Sequence, residues 1–292
     1  MRKGLSIFVA ASLLASTLSL NAQETKQSKE VQSVQKKIDK STNINIQDKR
    51  KAMLKEAIET IQQTALALKA LDDKNSKKAM DILSKVSGKI DLIVARDPSL
   101  HMLPVSIQEK TIDTLVNKQM IKSILYDATQ ALKDGKVQEA RYLLKDLASE
   151  IVITTTSIPL ATYPAEIKAI APLIDKGKVD EAKVALQHAL NSLVVTQQVI
   201  PLPILRASLL LQQAEVLVEN AKRDKKQTKE LDTLLKEASY QLEMAELLGY
   251  GTHKQFSDIY DQIDLIKSKI DNKNSGIGWF DKIKDKLKHL MK

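Results

Sequence analysis

GKVQEARYLLKDLASEIVITTTSIPL at residues 135–160 and GKVDEAKVALQHALNSLVVTQQVIPL at 177–202 align without a gap at a shift of 42, with eleven identical positions. A fainter copy, SKKAMDILSKVSGKIDLIVARDP, lies at 76–98, where Ala79, Leu83 and Pro98 fall on Ala140, Leu144 and Pro159. An apolar segment ending ALKALDD, ATQALKD or IAPLIDK precedes each copy. The pattern is that of an αα-hairpin. Gly135 and Gly177 supply the left-handed residue that ends one helix, and the next helix starts at once. Leu144, Ala148, Ile151, Val152 and Thr155 keep helical spacing, so the second helix is expected to run on towards Pro159. TTTSIPLATYP at 154–164 then reads as the last turns of that helix and its exit. A strand is disfavoured there, because the sister copy carries Gln197-Gln198. Pro159 moves Ile158 out of the helical region. Pro164 and Pro203 suit first turns, where a missing N–H costs nothing.

The same periodicity extends outward. Met53, Leu54, Ala57, Ile58, Ile61, Ala65 and Leu68 form one apolar stripe, and Met80, Leu83, Val86, Ile90 and Ile93 form another. A fourth pair covers Pro203 to Lys222 and Thr228 to Leu248, and Thr252 to Ile270 adds a further helix. Aromatic residues are 3% of the 292-residue chain, and eight glycines are few for a turn-rich β fold. The expectation is an all-α fold: one bundle of αα-hairpins with internal repeats over 47–270, plus a separate C-terminal amphipathic helix.

Both ends read differently from the middle. Arg2 and Lys3 precede the apolar run Leu5 to Leu20, with Asn21-Ala22 at a cleavage edge, so 1–22 is expected to be a signal peptide directing the chain to the periplasm. Its removal takes two of the 45 basic residues and no acid, lowering the net charge from +9 to about +7. Residues 23–46 read as a polar tether with a short helix around Val31 to Ile38. Residues 271–276 form a linker to the helix at 277–292. There Ile277, Phe280, Ile283, Leu287 and Leu290 share a face, Trp279 stands near the start, and lysines crowd the other side. That pattern suits a membrane surface, or equally docking on the bundle or a sister subunit.

Little chemistry is nominated. The absence of cysteine removes disulfides, thiolate nucleophiles and cysteine-ligated metals. The four histidines, at 101, 188, 253 and 289, have neither the spacing of a zinc helix nor that of a di-iron site. His101-Met102 is a bare hint of a soft-metal ligand pair. GIGWF at 276–280 lacks the preceding strand of a nucleotide loop. Catalytic residues, cofactors, metals and nucleic acid are therefore not expected. The candidate ligand or interface residues are Thr154, Thr155, Tyr163 and Tyr250. They either hold a ligand near a helix end or merely pack the joints.

TTxIPLxTYP, GKxDEA, VVxxxxIPLP and LGYG, read over residues 50–270, resemble the YfdX family. The resemblance implies a helical, secreted or periplasmic bacterial protein that self-associates and is tied to acid and other envelope stresses. It brings no reaction with it. The function expected from it is non-enzymatic: binding of unfolded protein or a small molecule by a homo-oligomer. A peripheral membrane adaptor acting through the C-terminal helix is the other reading.

Overall fold

The computed structural model describes residues 28–52, 55–114, 116–271 and 274–290. The signal peptide expected at 1–22 lies outside the described residues, as do 23–27 of the tether and 272–273 of the linker. Eleven helices and three strands follow one another among the described residues: α1 (Lys29–Ala52), α2 (Lys55–Asp72), α3 (Ser76–Arg96), β1 (Met102–Ile112), α4 (Lys118–Lys133), α5 (Val137–Leu144), β2 (Glu150–Pro159), α6 (Tyr163–Asp175), α7 (Val179–Asn191), β3 (Val194–Pro201), α8 (Leu202–Glu219), α9 (Lys225–Leu247), α10 (His253–Asp271) and α11 (Asp281–Leu290). The fold is predominantly helical, as expected from periodicity, and the internal repeat is present. Its unit, however, is helix–helix–strand.

The expectation for 154–164 is overturned. Helix α5 stops at Leu144, and Glu150–Pro159 is the central strand of an antiparallel sheet ordered β1-β2-β3. The physical reason lies in the side chains. Ile151 to Thr156 is an unbroken run of β-branched residues, which lose rotamer freedom in a helix and pack well on a pleated surface. The sister copy tolerates Gln197 and Gln198 because β3 is an edge strand whose middle is exposed on both faces. Strand β1, also unforeseen, pairs with β2 from Met102↔Pro159 to Ile112↔Glu150, with a bulge between Pro104 and Ser106.

Each of the three repeated hairpins turns through a left-handed residue. Gly135 and Gly177 have φ of 74° and 73°, and in the faint copy Lys74 occupies the equivalent position with φ 57°. A lysine there pays a backbone penalty that glycine avoids, and without the glycine this copy is the fainter one in sequence.

Two main cores flank the sheet. Helices α2, α3, α6 and α7 enclose Leu71, Ile90, Ile93, Ile167 and Ile170 together with Leu103 and Ile158. Pleating sends Ile151 and Ile153 to the other face, where they meet Ile38 of α1, Ile107 and Leu202. The second core joins α1, α8, α9, α10 and α11 around Leu211, Leu235, Phe256 and Ile263. Helix α9 starts with a reciprocal cap: Gln227 N–H donates to Asp224 Oδ1 at 2.7 Å, and Asp224 N–H donates to Gln227 Oε1 at 2.9 Å.

Two end segments differ from expectation. The described part of the tether is helix α1, because Val31, Val34 and Ile38 share one face and are buried. Helix α11 is docked, not separate. Phe280, Ile283 and Leu287 are core residues, while Trp279 and Leu290 pack against them. Of the residues expected to meet lipid, Ile277 alone is largely exposed, at 85%. Burying these side chains removes their apolar area from water without a bilayer. Lys284 donates to Glu215 of α8 at 2.9 Å, and Lys286 pairs with Asp258 of α10. Phe280→Ala is expected to cost about 3–5 kcal/mol in urea unfolding. An unchanged midpoint would mean that α11 is not held by the bundle.

Candidate functional site

The most concentrated polar chemistry lies where the two cores meet. Strand β1 ends at Ile112, opposite Glu150, so the next residue, Asp113, stands beside the start of β2. Strand β3 passes directly into α8, and Leu202 N–H donates to Ser149 O at 2.9 Å, which places the first turns of α8 over the same corner. Arg206, one turn further on, is only 3% exposed. Its Nη2 donates to Asp113 Oδ2 at 2.5 Å and its Nη1 to Asp113 Oδ1 at 3.2 Å. Nε and Nη2 also donate to Gln35 Oε1 of α1, at 2.8 and 2.6 Å.

The network continues through the strand. Ser149 Oγ donates to Asp113 Oδ1 at 2.6 Å. The Tyr250 hydroxyl accepts from Ser149 N–H at 2.8 Å and donates to Glu150 Oε2 at 2.8 Å. Tyr250 is positioned by the turn after α9, where Gly249 takes φ 80°. Burial, first, raises the phenol above its ordinary value; the Ser149 N–H opposes this, and Glu150 and Asp113 add to it. Each of these polar groups is occupied by another member of the network. The arrangement is a clamp joining α1, the sheet, α8 and the α9–α10 turn, and it presents no poised acid–base pair.

Sequence reasoning singled out Tyr250, as a candidate ligand or interface residue, but not Arg206, Asp113 or Gln35. The available signal was an arginine inside the otherwise apolar run LPILRASLLL at 202–211. The other expected site residues do not converge. Thr154 and Thr155 are neighbours on a strand, so their side chains point to opposite faces. Thr154 Oγ1 accepts from Gln197 Nε2 at 3.4 Å. Tyr163 is buried in the first core, where its hydroxyl donates to Thr64 Oγ1 at 3.0 Å, and Thr64 in turn donates to Thr60 O at 2.8 Å. Burial raises its phenol, with Thr64 opposing and Glu166 adding.

A second feature is an open groove along α6 and α7, about 680 Å³ in volume. Ala169, Leu173, Val184 and Ala185 line it, with Glu166, Asp180, Glu181 and His188. Glu166 Oε2 is buried without a hydrogen-bond partner. Among the described residues no three His, Asp or Glu side chains form a metal-holding group. Among them, too, no helix is long and apolar enough to cross a membrane.

Removing one partner of the clamp strands a buried charge. Arg206→Met and Asp113→Asn are each expected to lose about 3–5 kcal/mol of stability in chemical denaturation. A loss under ~1 kcal/mol would show the ion pair to be dispensable. The phenols set a second expectation. Tyr163 and Tyr250 hold their protons more tightly when folded, so their contribution is complete below the ordinary phenol value of about 10 and is lost as pH rises beyond it. Thermal midpoints should fall above that pH, with phenolate absorbance growing as the chain unfolds. A Tyr250→Phe chain should show a shallower decline.

Residues 57–199 match the family model described as YfdX protein. That span begins in α2 and ends in β3, so it contains the three helix–helix–strand units and stops short of α8 to α11 and the LGYG turn. A solved structure of Salmonella Typhi YfdX is similar over 50% of this chain and 91% of that one, with 15% identity and a TM-score of 0.35. No curated protein matches the chain. The repeat that builds the sheet thus carries the kinship, and residues 57–199 of this chain are similar to the YfdX family.

Proposed function

We propose that this protein is a non-enzymatic component of the bacterial periplasm that holds unfolded or amphipathic polypeptide during envelope stress, acting as a homo-oligomer. The observation carrying the reading is the α6–α7 groove. Its floor is made of small and branched apolar side chains, and Val184 beside it is 71% exposed. Carboxylates of Glu166, Asp180 and Glu181 stand along it, so a segment with apolar residues and a few cations matches it in both respects. The unpartnered Glu166 Oε2 is an acceptor that an incoming N–H can satisfy. The α4–α5 hairpin offers more apolar surface, with Leu132, Val137 and Tyr142 exposed. The apolar leader after Arg2 and Lys3 supports export.

The test is suppression of aggregation of a chemically unfolded client by the mature protein. Stoichiometric amounts are expected to suppress it, and Val184→Asp, at an exposed position, is expected to weaken suppression several-fold without altering the unfolding midpoint. Absence of suppression by the unaltered protein rejects the reading.

A further inference from the structure

The self-association included in that reading has no surface assigned to it, and β3 supplies one. It is the last strand of the sheet, and Val195 and Val199 are 60% and 44% exposed. No charged residue occurs between Val194 and Pro201. Natural edge strands are normally guarded by charges, prolines or bulges. The opposite edge, β1, has all three in Glu109 and Lys110, Pro104, and the irregularity after it. Strand β3 has only Pro201, at its end.

Which backbone groups face outward follows from the ladder. Leu202 N–H donates to Ser149 O, and bonded pairs alternate along an antiparallel ladder. Ile200, Gln198, Thr196 and Val194 therefore bond towards β2, while Val199, Gln197 and Val195 direct N–H and C=O away from it. Pro201 falls in the outward set, where its missing N–H costs nothing. Among the described residues no backbone bond from outside the sheet reaches these three.

The sequence VVTQQVI is self-complementary about its centre. Reversed and laid beside itself with Gln197 opposite Gln197, it sets Val195 against Val199, Val194 against Ile200 and Thr196 against Gln198. Each pairing is β-branched aliphatic with β-branched aliphatic, or polar with polar. The offset also keeps each residue opposite one of the same pleat, as a two-fold axis normal to the sheet requires. It matches the outward backbone groups as well: Val195, Gln197 and Val199 of one copy meet Val199, Gln197 and Val195 of the other as bonded pairs.

We propose that β3 joins two copies of this chain antiparallel about a two-fold axis at Gln197, merging their sheets into one of six strands. The pairing satisfies an otherwise open ladder and covers Val195 and Val199 without placing like charges opposite each other.

The chain has no cysteine, so a single one reports position. Opposed Cα atoms of a bonded antiparallel pair lie about 5.5 Å apart, within the range a disulfide spans. Gln197→Cys is expected to form a covalent dimer on mild oxidation. Gln198→Cys, whose two copies lie one residue to either side of the axis and so two residues apart along the strands, is expected not to. Gln197→Lys sets two ammonium groups opposite each other and should weaken dimerisation by about tenfold or more in sedimentation, whereas Val184→Lys should leave it unchanged. A dimer of undiminished strength in the Gln197→Lys protein overturns the β3 interface while leaving self-association standing. An unaltered protein that stays monomeric at high micromolar concentration overturns both, and client suppression is read independently of either.

Discussion

The buried contact between Arg206 and Asp113 is the constraint on which the arrangement of this protein depends. A guanidinium taken out of water must have its donors met, and here one carboxylate and one amide meet them. The carboxylate stands at the end of β1, the amide on α1, and the arginine on the helix that leaves β3. Those three elements can move only together. Ser149 and Tyr250 extend the restraint to β2 and the turn after α9. Apolar packing alone is tolerant of small slips between helices, whereas a bidentate ion pair fixes distance and orientation. The contact therefore ties the end of β1 to α1 and α8.

The repeat itself shows how three similar units become a sheet. Each helix pair returns the chain so that the next strand lies beside the last in the opposite direction. The strands then take on different tasks from similar sequence. The central one has neighbours on both sides and buries Ile151, Ile153 and Ile158; the last keeps glutamines because water reaches it. Position within the sheet, more than the motif, determines which side chains each copy needs.

Much of this was legible in the residues. Apolar spacing located the helices, Gly135 and Gly177 located two turns, and the shift of 42 paired two of the units. Helical periodicity also misled, since Leu144, Ala148, Ile151, Val152 and Thr155 fit a helix as well as they fit a short helix followed by a strand. The density of β-branching from Ile151 to Thr156 was the better guide. The C-terminal amphipathic face was correctly seen, but nothing local to it says whether lipid or protein covers it. The clamp was out of reach for a related reason. Gln35 and Asp113 lie 171 and 93 residues from Arg206, and single-sequence reading links neighbours, not distant partners. Thr154, Thr155 and Tyr163 looked like a cluster only because they are close in sequence; strand pleating and helix entry send them to three different environments.

The separation between Gln35 and Arg206 also bears on how the molecule assembles. A polypeptide emerges N-terminus first, and α1 emerges long before α8, the helix that covers Val31 and Val34. The hairpins close locally and quickly, whereas the contact that completes the fold waits for a large loop to be delivered. Until then α1 exposes an apolar stripe and the first core lacks its link to the second. The final docking step thus depends on the chain being complete, because a chain truncated before α8 has no partner for its own first helix and leaves Val31 and Val34 uncovered.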